Sequence, residues 1–132
     1  MTSNVFRNYI AGEWVAGASV TVNRNPSDVG DVIGEYAQAD AAQTCAAIAA
    51  AKAAFPAWAT GSIQERANIL DRAGAEILAR KDELGKLLSR EEGKTLPEGI
   101  GEAMRAGNIF RFFAGEVLRH GGRNGLVARH DA

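Results

Sequence analysis

The 132-residue sequence has sixteen acidic and fifteen basic residues, a net charge of −1, in which nothing suggests a polyanion or an anionic membrane surface as partner. The length suits one domain burying about two thirds of its surface, and the single cysteine, Cys45, excludes an intramolecular disulfide and fits a reducing compartment. No basic-then-apolar leader opens the chain and no apolar run approaches about 18 residues, so a cytoplasmic protein with neither membrane nor nucleic-acid partner is expected.

Residues 8 to 37 have β character. Asn8-Tyr9-Ile10 and Glu13-Trp14-Val15 flank Ala11-Gly12, a tight hairpin in which Gly12 supplies positive φ. Val20-Thr21-Val22 reads as a short strand closed by Asn25-Pro26, and Val32, Ile33, Tyr36 and Ala37 as another, entered from the turn-rich segment 27–31.

After Ala39 the period becomes helical. Asp40 and Gln43 make a capping-box-like start for an Ala-rich helix whose stripe Ala41, Cys45, Ile48, Lys52 and Phe55 should be buried. Pro56 should end that helix, with Trp58 folding back as an anchor. Ser62 and Glu65 form a full S-x-x-E box opening a second helix, with Ala67, Leu70, Ala73, Gly74, Ile77 and Leu78 inward. Asp82 is placed to cap a short third helix, which Gly93 ends in the left-handed conformation. Thr95 and Glu98 then box the start of a fourth, with Pro97 in its first turn. From Leu96 to about Arg119 the face Ile100, Ala103, Met104, Gly107, Phe110, Phe113, Ala114, Val117 and Leu118 repeats along a rod of roughly 36 Å. The tail from Gly121 has no period and reads as a flexible end.

No constellation of catalytic type emerges. Cys45 lies in the second turn of its helix on the stripe expected to be buried, without a histidine nearby in sequence to lower its pKa, and reads as a packing residue. His120 and His130 lack the Cys or carboxylate spacing of a metal site. Gly99-Ile100-Gly101 opens like a dinucleotide fingerprint, but Met104 stands at the third glycine and the run lies inside a helix. Glu91 and Glu92 point about 100° apart and cannot share one substrate atom. Trp14, Trp58, Phe110, Phe112 and Phe113 read as core anchors, and the interleaved Arg105 and Arg111 make no nucleic-acid groove.

The motifs nonetheless stand in a telling order. Tyr9-Ile10-Ala11-Gly12-Glu13-Trp14 comes first, then Asn25-Pro26, then Asp40 heading the helix that reaches Ala53-Ala54-Phe55-Pro56-Ala57-Trp58. Arg66-Ala67-Asn68-Ile69-Leu70, Glu91-Glu92-Gly93-Lys94-Thr95-Leu96-Pro97-Glu98 and Phe112-Phe113-Ala114-Gly115 follow. From about residue 8 to Gly122 the sequence resembles the N-terminal region of the aldehyde dehydrogenase superfamily, and the Gly93–Glu98 phrasing resembles its bacterial ketoglutarate-semialdehyde dehydrogenases.

That resemblance implies an α+β segment, short N-terminal strands followed by four helices, corresponding to the N-terminal segment of the family's α/β fold over 1–122, with 123–132 a divergent tail. It also implies NAD(P)-dependent oxidation of an aldehyde in the full-length enzyme, through a thiohemiacetal on a cysteine, an oxyanion-hole asparagine and a glutamate that activates water. The sequence contexts of those residues and of the phosphate-facing glycine loop are missing here. The resemblance therefore assigns this chain no catalytic and no cofactor-binding residue. It implies one minor site, a structural monovalent cation held by Glu91 and by main-chain carbonyls of Asn23 and Arg24. Because Arg123 to Ala132 departs from the family pattern, a frameshift or premature stop is expected. The implied partners are the missing remainder of the enzyme or a full-length paralogue, with homo-oligomers in the family. The competing expectation is a free-standing helical protein-interaction module.

Overall fold

The computed structural model describes residues 5–119; the tail reading and both histidines lie outside the described residues. Among the described residues five strands precede four helices: β1 (Val5–Phe6), β2 (Asn8–Ile10), β3 (Glu13–Val15), β4 (Ser19–Asn25), β5 (Asp28–Gln38), α1 (Ala41–Thr60), α2 (Ile63–Ala79), α3 (Lys81–Glu92) and α4 (Leu96–Arg119). The α+β order is as expected. The described residues form two compact units, one of residues 5–60 with Arg90–Gly93, the other of Gly61–Ser89 with residues 94–119.

In the first unit, β4 and β5 are an antiparallel hairpin closing at Asn25 and Asp28, with the ladder interrupted on either side of Arg24. The turn is held by its own side chains: the Ser27 N–H donates to Asn25 Oδ1 at 2.9 Å and the Gly30 N–H to Asp28 Oδ1 at 3.1 Å. Both strands run longer than their apolar cores, because side-chain bonds at the turn let the ladder continue through polar residues. β1 lies parallel to β5 on its other edge, Phe6 opposite Tyr36, with their rings stacked at 4.9 Å. Two residues carry no readable period, so the sequence does not announce β1. The β2–β3 hairpin turns at Ala11 and Gly12, at φ 54° and 89°, so Ala11 as well as Gly12 adopts the left-handed form that a two-residue turn matched to strand twist requires.

α1 departs from expectation in four ways. Asp40 does cap it, accepting the Gln43 N–H at 2.7 Å. Gln43 does not return the bond. Its amide accepts from Asn8 Nδ2 and donates to the Ala16 carbonyl, both at 2.8 Å, tying the helix start to the chain before it. Pro56 lies inside the helix, which continues to Thr60 with Trp58 on it; eleven of the twenty residues are alanine, enough propensity to carry the helix through the roughly 3 kcal/mol disruption of one proline. Finally, the stripe expected to be buried is not: Cys45 is exposed, and Ile48 and Phe55 are 63% and 66% exposed. The face of α1 toward the β2–β3 turn is built instead from Ala47, Ala50, Ala51, Ala53 and Ala54, which with Tyr9, Ile10, Ala11 and Gly12 line an open hollow of about 570 Å³. Small side chains allow that approach and leave the larger ones pointing elsewhere.

The second unit is helical. α2 and α4 run antiparallel, Asp71 and Gly74 meeting Arg111 while Leu78 meets Gly107. The six residues assigned to the inward face of α2 are all buried or half-buried. α3 packs on the first turns of α4 through Gly85, whose backbone lies against that of Gly99 and Ile100. The buried apolar side chains among the described residues are Ala67, Ala103 and Ala114, so the contact is one of backbones brought close by Gly and Ala rather than of large interlocking side chains. This is less interior than the length suggested.

Two helix starts differ from expectation. Ser62 makes no side-chain cap bond, so the S-x-x-E box is not formed. Asp82 lies within the first turn of α3, paired with Lys81 at 2.9 Å, rather than capping it. On α4, Ile100, Ala103, Gly107, Ala114 and Val117 are covered, but Met104, Phe110, Phe113 and Leu118 of the same expected face are exposed, since the neighbouring helices cover a narrower arc than the apolar residues occupy. Trp14, Phe112 and Phe113 are more than half exposed, and Trp58 is exposed as well, so these aromatics are not core anchors within this chain. No helix among the described residues is long and apolar enough to cross a membrane.

Candidate functional site

The end of α3 is where the most specific polar contacts gather. Gly93 adopts φ 71° and stops the helix as its position predicts. Its carbonyl accepts from Ser27 Oγ at 3.2 Å, which places the turn after α3 against the β4–β5 turn. A side chain at 93 would meet Ser27 Oγ at 2.7 Å and Pro26 Cγ at 2.9 Å.

One turn earlier, Arg90 makes a two-pronged contact with Asp31 on β5, Nε to Oδ2 at 2.9 Å and Nη2 to Oδ1 at 2.6 Å. Asn25 adds a third donor at 3.3 Å. The Arg90 hydrogen bonds, with Asn25 second, hold the Asp31 carboxyl down at about 2, so it stays ionised throughout the neutral range.

Glu91 faces a different set. Its Oε1 accepts from Asn23 Nδ2 at 3.0 Å and from the Tyr36 hydroxyl at 3.4 Å. These three, with Thr21, Val22 and Gln38, line an open hollow of about 270 Å³. Burial first, and then the Glu91 charge and hydrogen bond, push the Tyr36 phenol above its ordinary value, so Tyr36 is a fixed donor there and not a base. Glu92 is exposed. The two glutamates thus do separate things, as their helical spacing implies.

Beyond Gly93 the second unit has its own ties. Ser89 Oγ donates to the Lys94 carbonyl at 2.6 Å, and Lys94 pairs with Glu102 at 2.8 Å. The Thr95 N–H and hydroxyl both donate to Glu98 Oε2, at 3.0 and 2.7 Å, which lowers the Glu98 carboxyl below its usual range. That is the returning half of the capping box; the Thr95 hydroxyl serves the carboxylate instead of a backbone N–H.

The expected cation ligands are brought together in part. Glu91 and Asn23 touch, and the ladder shifts register on either side of Arg24, which stays paired with Val32. The Arg24 guanidinium donates to the Val29 carbonyl at 3.0 Å, so its charge is used at the hairpin rather than against Glu91. One carboxylate among neutral oxygens fits a hard monovalent ion; the Asn23 amide, turned over, would present its oxygen. Among the described residues no group of three His, Cys, Asp or Glu could hold a metal ion. Tyr36 and Asp31 were not singled out from the sequence as members of this site. They lie 55 and 59 residues from their partners, and no local pattern marks them.

A dinucleotide cradle is not built by the described residues. Gly99 and Gly101 lie within α4, Gly99 buried against Gly85 and Gly101 facing open space. β5 runs into α1 through Ala39-Asp40, and the Asp40 carboxylate occupies the helix N-terminus where a pyrophosphate would need bare N–H groups. Cys45 stands exposed on α1.

Comparison with known proteins is consistent across sequence and fold. The model of the aldehyde dehydrogenase family matches residues 14–131, a span that runs past Gly122. The alpha-ketoglutarate semialdehyde dehydrogenase of Haloferax volcanii is 38% identical over 118 residues, 88% of this chain and 24% of that protein. The NADP(+) succinate-semialdehyde dehydrogenase of Escherichia coli is 38% identical over 122 residues, 89% of this chain and 25% of that protein. A crystal structure of Staphylococcus aureus betaine aldehyde dehydrogenase with NAD+ superposes with TM-score 0.84 at 29% identity, covering 89% of this chain and 24% of that one. The chain thus spans about a quarter of the length of the relatives it matches.

Proposed function

Since the chain belongs to the aldehyde dehydrogenase family, we propose that it supplies the strand-and-helix quarter of an NAD(P)-dependent aldehyde dehydrogenase subunit and turns over no aldehyde by itself. What carries this reading is a mismatch of coverage: nearly nine tenths of the chain aligns, yet only about a quarter of the relative does. The described residues do not fit a dinucleotide, because the helix that follows a strand directly is capped by a carboxylate. No step of the reaction is therefore assigned to this chain. Aldehyde oxidation, hydride transfer to NAD or NADP included, belongs to the whole enzyme. The semialdehyde names of the relatives at 38% identity point to an aldehyde with a distal carboxylate as its substrate class. The partners are the remainder of such a subunit or a full-length paralogue, within a cytoplasmic homo-oligomer.

Purified protein mixed with succinate semialdehyde and NAD+ or NADP+ should produce no reduced nicotinamide above the rate without protein. Any turnover above that rate would overturn the reading, and Cys45→Ala would then show whether Cys45 or another residue is the nucleophile.

The Glu91 corner has a structural role in this reading. Glu91, with the main-chain carbonyls of Asn23 and Arg24, holds a monovalent cation that joins the end of α3 to the β4–β5 hairpin. Replacing tetramethylammonium by sodium or potassium at constant ionic strength should raise the melting temperature, and Glu91→Gln should remove that difference. A melting temperature indifferent to the cation in the unsubstituted protein rules the site out.

A further inference from the structure

Arg90 and Glu91 are neighbours on the last turn of α3, and each has its own partners on the β4–β5 hairpin. Glu91 is tethered by one oxygen only. The Asn23 and Tyr36 donors both fall on Oε1, and Oε2 makes no hydrogen bond among the described residues. Arg90 gives Nε and Nη2 to the two oxygens of Asp31, and Asn25 steadies that carboxylate by donating to Oδ2 at 3.3 Å. A guanidinium released from Asp31 would find another carboxylate on the very next residue. Neighbours on a helix do pair when one stem is long: Lys81 Nζ meets Asp82 Oδ1 at 2.9 Å at the other end of α3.

We infer that Asp31 keeps Arg90 away from Glu91, so that the Glu91 carboxylate is left for a monovalent cation. This role rests on the cation reading under Proposed function and adds to it a residue that touches no ion: Asp31 is a positioning residue, acting through Arg90. The guanidinium keeps its charge throughout the neutral range. Without Asp31 it is a permanent competitor for the carboxylate that the cation uses, joined to it by the chain. The alternative role of the pair is mechanical, a clamp whose two bonds aim Glu91 by fixing the last turn of α3. The two roles differ in what removing Arg90 does. A competitor is not missed; a clamp is.

The test is thermal melting of the 132-residue chain in sodium or tetramethylammonium at constant ionic strength. The readout is the sodium concentration that gives half the rise in melting temperature. Asp31→Asn should raise that concentration about tenfold or more, or abolish the rise. Arg90→Gln should leave it unchanged or lower it, and D31N/R90Q should return it to within about threefold of the unsubstituted protein. Rescue by the second substitution is the result a merely structural pair does not give, because the double variant has lost every bond of the clamp. Loss of the sodium response in R90Q overturns the inference in favour of the clamp, and does so whether or not D31N folds. A D31N response equal to that of the unsubstituted protein overturns it too, as does a double variant as deficient as D31N. Indifference of the unsubstituted protein to sodium is a separate result, which removes the cation reading and this role of Asp31 with it.

Discussion

Gly85→Ala should destabilise the protein by about 1–3 kcal/mol, although the same exchange in an exposed helix stabilises by roughly 0.5–1 kcal/mol. Gly85 is in the middle of α3, where alanine is the better helix former. A methyl group there would stand 2.6 Å from both the Cα and the N of Ile100. These are backbone atoms, so no side chain can swing aside and α3 must separate from α4. Gly101 is the internal control, because a Cβ there meets nothing within 4 Å. Gly101→Ala should therefore stabilise by the propensity difference alone. Urea unfolding followed by the helical circular-dichroism signal measures both. If the two substitutions shift the midpoint in the same direction, close backbone approach is not what joins α3 to α4.

Gly93→Ala should cost roughly 2 kcal/mol or more, from about 1–2 kcal/mol of left-handed strain plus overpacking. The position combines φ 71° with a Cβ site crowded by Ser27 Oγ and Pro26 Cγ. Gly12 separates the two contributions. It has φ 89° with nothing within 4 Å of the added carbon, so Gly12→Ala should show the strain alone. Thermal melts of the two variants compare them directly. Equal losses would show that the turn after α3 yields freely and that the contact with Ser27 holds nothing.

What could be read from the sequence divides along a physical line. Features set by a residue's own backbone came through: the Ala11-Gly12 hairpin, the left-handed stop at Gly93, the Asp40 cap and the bounds of α4. Each depends on neighbours within four residues. Helical period also placed all six inward residues of α2 correctly, because α4 of the same chain lies against them. It failed for Ile48 and Phe55 on α1 and for Phe113 on α4, because period groups side chains without saying what covers the group. Ser62 and Glu65 have the spacing of a capping box, but spacing does not oblige the Ser62 side chain to turn back. At the end of α3, Glu91 was identifiable from its motif. Tyr36, Asn25 and Asp31 reach α3's last turn or its partner only through the β4–β5 register, which no window of sequence displays.

The Asp31–Arg90 clamp also sets an order of events during synthesis. Its two halves are 59 residues apart, so the β4–β5 hairpin leaves the ribosome well before the guanidinium that secures it. At roughly 5–20 residues per second the interval is about 3–12 seconds. Through that time the Asp31 carboxylate has water in place of Arg90, and the hairpin relies on its own ladder and turn. Whatever pairing the nascent strands make before then lacks this contact, which a segment translated later supplies.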